Sequence, residues 1–236
     1  MRGDYMKEKA MAYLNQDSIL NVDMLEVLDH EHCDILYATN KGVLLFHPHS
    51  KVYMMNVRDA KIAHSLIDSL DEQYGIVIHQ KESEAYIQSH RKIEERIECY
   101  QMVYPHDIPC TLNHKYEIRQ LDESYLEIVG TCYEQDPHSA YILEIIKSGW
   151  MYGIFVKDHF AGFIGRHHEG SIGLLHVLEE YRGMKLGHEL LKFMVNFYLD
   201  NGWTPYSQVV VGNEVSMKLH RSLGFVASNE TVVWLF

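Results

Sequence analysis

Gly173-Leu-Leu-His-Val-Leu-Glu-Glu-Tyr-Arg-Gly-Met-Lys-Leu-Gly-His-Glu-Leu-Leu191 decides the reading of this chain. It predicts a buried strand, a tight glycine-bearing loop and an amphipathic helix whose first turn begins inside that loop. Such a junction turns several backbone N–H groups and the positive end of a helix dipole toward one spot, which suits a pyrophosphate.

The flanking sequence supplies the elements such a junction needs. Upstream, Tyr116–Gln120 reads as a strand, and Leu121–Gly130 and Pro137–Ser148 as helices, with Pro137 in a first turn after Asp136. Met151–Val156 and Phe160–Gly165 form a hairpin around Lys157-Asp158-His159, and Ser171–Leu178 is the strand that enters the loop. The following helix carries Leu186, Leu190, Phe193, Met194 and Phe197 on one face and stops at Asn201-Gly202. Gln208–Val211 is a β-branched strand. Asn213 then caps a helix bearing Ser216, Leu219, His220 and Leu223, Gly224 ends it, and Phe225–Phe236 supplies closing strands.

Two motifs resemble the GNAT superfamily of N-acyltransferases. Val177-Leu-Glu-Glu-Tyr-Arg182-Gly-Met-Lys-Leu-Gly187 is similar to that family's acyl-CoA loop, and Asn213-Glu-Val-Ser216-Met-Lys-Leu-His220-Arg-Ser-Leu-Gly224-Phe225 to its later helix segment. The resemblance covers about residues 116–236, and Gly173-Leu-Leu-His-Val also resembles the glycine N-acyltransferase-like branch. It implies acetyl-CoA as co-substrate, with Val177 or Leu178 polarising the acyl carbonyl through a backbone N–H. The implied cofactor-binding set adds Arg182, Gly183, Met184, Lys185, Leu186, Gly187, His188, Asn213 and Ser216.

The pattern has departures. Lys185 stands where a loop glycine is expected, Glu179 replaces a frequent proline, and His220 occupies the position of a tyrosine that protonates the leaving thiolate. A lysine is expected to keep ordinary helical φ and to offer its ammonium to a phosphate. His220 is a candidate general acid; the competing reading is a helix histidine filling a tyrosine-sized site. His176, the one titratable side chain in an apolar strand, is a candidate base, against a core histidine bonded to backbone.

The N-terminal half reads as α/β. Two short helices fall within residues 6–28, strands at Asp34–Thr39, Gly42–Phe46 and Val52–Asn56, and an Asp59-capped helix through Leu70. A strand at Gly75–His79, a helix at Glu82–His90 and a strand at Ile97–Tyr104 complete it. Without a glycine-bearing strand-to-helix loop it offers no ligand site, and its element order suggests a degenerate copy of the same fold. Tyr104–Asn113, with two prolines, is the expected linker.

The expected class is therefore α/β (α+β): a GNAT-type mixed twisted sheet at 115–236 behind a smaller α/β domain at 1–110. The expected activity is transfer of an acetyl or short acyl group from acetyl-CoA to a primary amine of a small molecule or peptide. The alternative is a non-catalytic acyl-CoA-binding or regulatory module.

Composition narrows the other classes. Net charge is -12, and residues 1–115 (12 basic, 18 acidic) and 116–236 (9 basic, 15 acidic) each carry -6. With no basic stripe, nucleic-acid or anionic-membrane partners are not expected. Four scattered cysteines without a CxxC pair, no apolar leader and no membrane-length run point to a reducing cytoplasm. The sixteen histidines lack metal-ligand spacing, so no metal is expected. Oligomeric state stays open, a homodimer included.

Overall fold

A computed structural model describes residues 2–236 as two compact units. The first runs to Val103 and includes Gln208–Ser216 and Val226–Phe236; the second is Tyr104–Ser207 with Met217–Phe225. These units differ from a sequential division at 1–110 and 115–236.

The first unit opens with α1 (Arg2–Leu14), a 3-10 turn at Asn15–Asp17 and α2 (Val22–His30). An antiparallel meander follows: β1 (Asp34–Thr39), β2 (Gly42–His47) and β3 (Val52–Val57). Helix α3 (Ala60–Ile67) crosses over to β4 (Gly75–Ile78), which pairs parallel with β3 from Val52↔Gly75 to Met55↔Ile78. After α4 (Glu84–His90) and β5 (Arg96–Val103), the unit is completed by β11 (Val226–Leu235), antiparallel to both β4 and β5. That last strand explains the non-sequential division: its ladder partners belong to the first unit. It is one strand with a bulge between Ala227 and Thr231, not several.

All six residues of β3 are buried because both faces of this sheet are covered. Leu14, Met24, Val27, Leu45, Met54, Val77 and Trp234 pack on the α1–α2 side. Leu44, Met55, Ala63, Ile67, Ile78 and Val233 pack on the α3–α4 side. A polar chain crosses the first of these cores. The His79 Nε2 and Asp23 Oδ1 atoms lie 2.8 Å apart, both side chains fully buried. Gln208 donates to Asp23 Oδ2 and accepts the Trp234 indole N–H. Such a chain stabilises only because each member finds a partner.

The second unit has β6 (Glu117–Gln120), α5 (Leu126–Glu134), α6 (Ala140–Lys147), β7 (Met151–Val156), β8 (His159–Arg166) and β9 (Ile172–Val177). The four strands are antiparallel neighbours. Helix α7 (Leu186–Asp200) leads to β10 (Tyr206–Val210), parallel to β9, and α8 (Glu214–Ser222) follows. Residues 34–90 and 151–222 thus repeat one order: an antiparallel hairpin, a third strand, a crossover helix, a parallel strand and a second helix.

Three local expectations need correction. The β7–β8 turn has two residues, Lys157 (φ 49°) and Asp158 (φ 67°), with His159 already in the strand. Two consecutive positive φ values match the right-handed strand twist. Pro137 is not in the first turn of α6: Asp136 accepts the His138 N–H in a separate turn, and Ser139 caps the helix by accepting from Ile142. Tyr104–Asn113 has no regular structure, yet it is no free linker. Asn196 on α7 both accepts the Cys110 N–H (2.6 Å) and donates to its carbonyl (2.9 Å). The Glu189 carboxylate accepts the Asn113 N–H at 2.7 Å.

Candidate functional site

The site begins with a defect in β9. Leu174 has φ +55°, an outlier for a branched side chain, where the β8–β9 register shifts between Phe163 and Gly165. The bulge sets the strand's alternation beyond it. Leu174 packs with Phe163 toward α5 and α6. His176 follows on that side, its ring stacked on Phe163 with centroids 5.5 Å apart. Leu175 and Val177 turn the other way and meet the start of α7, where Gly187 has both of them and Leu219 about its Cα.

β9 pairs with β10 at one position, Ile172↔Ser207. From Gly173 onward, among the described residues, the edge of β9 away from β8 has no ladder partner, so it can receive an extended chain by backbone hydrogen bonds. Leu178 is not available for this: its N–H donates to the Ala161 carbonyl at 3.0 Å. Strand alternation therefore turns the Val177 N–H to the open edge, and of the two expected carbonyl-polarising residues Val177 alone has its donor on that side.

A 3-10 turn at Glu179–Tyr181 ends the strand, and Arg182 folds back so that its Nε donates to the Val177 carbonyl at 3.4 Å. Gly183 (φ 81°) and Lys185 (φ 61°, ψ 23°) both lie in the left-handed region. Lysine thus adopts the glycine conformation, against the expectation of helical φ. The cost is about 1–2 kcal/mol. The consequence is a nest. Among the described residues, the N–H groups of Gly183, Met184, Lys185, Leu186 and Gly187 meet no acceptor, while the Lys185 carbonyl takes those of His188 and Glu189. The 15-residue α7 adds its dipole behind them.

Side chains frame the nest. Arg182, Met184 and Lys185 are exposed, and Leu186 is buried as an anchor. His188 Nε2 lies 3.1 Å from the Ser222 hydroxyl of α8. Burial, then the charges of Lys185 and Lys192, lower the pKa of His188. Asn213 and Ser216 belong to the first unit, where Asn213 Oδ1 accepts the Ser216 N–H at 3.1 Å and caps α8.

The two histidines have different surroundings. His176 is half-buried and, among the described residues, has no hydrogen-bond partner, unlike the backbone-bonded core histidine considered from sequence. Burial, then the Arg182 charge, lowers its pKa, so near neutrality it is an uncharged imidazole able to accept a proton. His220 is buried. Its Nε2 lies 2.9 Å from the Ser207 hydroxyl and its ring meets the edge of Phe225. Ser207 escaped the sequence reading; a lone hydroxyl at the start of a β-branched run was its only signal.

The matching junction in the first unit is plugged. Asp59 accepts the N–H groups of Lys61 (3.1 Å) and Ile62 (3.2 Å) at the start of α3, so a carboxylate occupies the donors that α7 leaves open. Among the described residues no three His, Cys, Asp or Glu side chains converge as metal ligands. No helix of the described residues is long and apolar enough to cross a membrane.

Residues 111–225 match the model of the acetyltransferase (GNAT) family. Among solved structures, the chain is similar to a Drosophila protein at 18% identity, covering 83% of this chain and 74% of that one with a TM-score of 0.63. It is also similar to a GCN5-related N-acetyltransferase-like protein from Streptococcus suis (12% identity, 98% and 99% covered, TM-score 0.57). A GCN5-related N-acetyltransferase from Sphaerobacter thermophilus gives 14% identity, 100% and 93% covered, TM-score 0.57. At these identities the likeness is one of fold, and it spans both units. No curated protein matches the chain.

Proposed function

We propose, from the match of residues 111–225 to the acetyltransferase (GNAT) family, that the chain moves an acetyl or short acyl group from acetyl-CoA to a primary amine by direct attack in a ternary complex. The observation that carries the reading is the run of five unanswered N–H groups at Gly183–Gly187 on the N-terminus of α7. That is the chemistry a pyrophosphate requires, and Lys185 and Arg182 add cationic side chains beside it. Acetyl-CoA supplies the activated thioester; this chain's residues hold and polarise it.

In this reading the pantetheine arm lies along the open edge of β9, and the Val177 N–H polarises the acyl carbonyl. The amine nitrogen bonds to the carbonyl carbon and passes its proton to His176. The carbon–sulfur bond then breaks, its electron pair leaves on sulfur, and the His220 imidazolium protonates the thiolate. Asp59 restricts this chemistry to the second unit.

The test is free-thiol release from acetyl-CoA with a panel of small primary amines and lysine-bearing peptides, beside calorimetry with acetyl-CoA. Amine-dependent release supports the enzyme. Binding without release with any amine supports the acyl-CoA-binding module instead. Failure to bind acetyl-CoA overturns both.

A further inference from the structure

We propose that Phe163 is a positioning residue for the base, its ring face fixing the plane of the His176 imidazole; this rests on His176 taking the proton of the attacking amine. A histidine base is ordinarily oriented by a hydrogen bond from one ring nitrogen to a third group. His176 has no such bond among the described residues, so nothing polar sets its ring. A cross-strand partner does so instead. Phe163 on β8 stands directly opposite His176 on β9, and the two rings stack with centroids 5.5 Å apart and planes 17° apart.

The partner is itself fixed. Phe163 is fully buried, and its ring lies 6.3 Å from that of Phe160 with 6° between the planes. Phe160 is packed in turn by Tyr125 and Phe155. The strands also close tightly here: a Cβ on Gly162 would lie 2.5 Å from the His176 carbonyl oxygen and 3.0 Å from the Val177 Cα. The half-buried imidazole is therefore held against a rigid aromatic face. That face has a second effect. When the amine proton arrives, the imidazolium rests on the negative side of the Phe163 ring, an attraction the neutral ring lacks. Among the described residues Arg182 is the charged group that acts on His176, and it opposes the new charge, as burial does. Phe163 offsets part of that opposition.

The test separates the ring's charge distribution from its bulk. Turnover of acetyl-CoA with the best amine of the panel is followed against pH for wild type, Phe163→Leu and a chain carrying pentafluorophenylalanine at position 163. Phe155→Leu is the control, since it removes a ring from the same core that makes no ring contact with His176. Fluorination nearly keeps the ring's shape and reverses the sign of its face. The acidic limb of kcat is expected to move down by about half a pH unit, with KM for acetyl-CoA unchanged. Phe163→Leu should move the limb the same way and lower the plateau of kcat at least about tenfold, because the imidazole can turn. Phe155→Leu should lower Tm and leave the limb in place. An unmoved limb in the fluorinated chain, or an equal movement in Phe155→Leu, overturns the proposal. Nitrogen-15 imidazole spectra of the protein alone follow the His176 titration without turnover. A midpoint unchanged by fluorination shows that His176 does not rest on this face, and the proposal fails even if the chain is an active enzyme. An undiminished rate in His176→Ala at neutral pH overturns the base assignment instead. If Phe163→Leu unfolds, the fluorinated chain decides.

Discussion

Asp59 Oδ1 accepts the backbone N–H of Ile62 at 3.2 Å, and that contact closes the first unit to phosphate. The same hydrogen bond is the main reason the Asp59 carboxyl titrates below its ordinary value. Calorimetry is expected to find one acetyl-CoA per chain. Asp59→Ala frees those donors and should leave the dissociation constant of the second unit's site unchanged. A second site of comparable affinity in the wild-type chain would contradict the plugged junction.

Lys185 divides conformation from charge. Lys185→Gly removes the side chain from a left-handed position and is expected to raise stability by about 1 kcal/mol, or roughly 2–4 °C in Tm. The same substitution removes an ammonium beside the nest. Acetyl-CoA affinity should fall and become less salt-dependent. Melting curves and calorimetry at two ionic strengths check both, and a lower Tm would mean the backbone strain is not relieved.

With His176 as the proposed base, an acidic limb on the rate is expected. Its folded pKa lies below the ordinary 6.5, through burial first and Arg182 second. Activity that needs the neutral imidazole is therefore kept at neutral pH and lost as pH falls through a value under 6.5. Arg182→Gln removes the second cause and should move the limb of kcat upward, toward 6.5. For stability the sign follows likewise. Below 6.5 the unfolded chain binds the proton more readily, so the His176 contribution is full above 6.5 and is lost as pH falls through the folded value. A limb unmoved in Arg182→Gln would show that the two groups do not interact.

Glu98 controls acid stability of the first unit. Lys81, Thr231 and Arg96 hold its carboxyl, and its pKa is lowered from 4.5 to about 2, the Lys81 hydrogen bond acting first. This stabilisation is present above 4.5 and is lost as pH falls from there toward 2. Denaturant unfolding of Glu98→Gln should show a flatter pH dependence in that window than wild type.

Much of the fold was legible because its signals are local. Asn213 and Gly224 bracket α8, Asp59 caps α3, and the alternation of β7 and β8 is plain. What escaped was decided by partners distant in sequence or by competing local chemistry. Asp136-Pro137 looks like a helix start because it does form a capped turn, one turn too early. Tyr104–Asn113 reads as a linker because the groups that pin it, Glu189 and Asn196, are far along the chain. In the site, the nest was legible from Gly183 and Gly187, but the conformation of Lys185 was not. A residue's intrinsic preference for negative φ yields when the surrounding loop over-determines its geometry. Nor could sequence separate Val177 from Leu178, since the Ala161 carbonyl makes that choice.

Strand β11 lies between β4 and β5, and this bears on synthesis. A ribosome delivers those two strands more than a hundred residues before the strand that joins them. Until residues 226–235 emerge, each presents a row of unanswered backbone groups and apolar side chains, including Val77 and Cys99, that a neighbouring nascent chain can capture. The first unit to be made is thus the last to be finished. Loss of the final strand should strike the N-terminal unit first, as aggregation during expression.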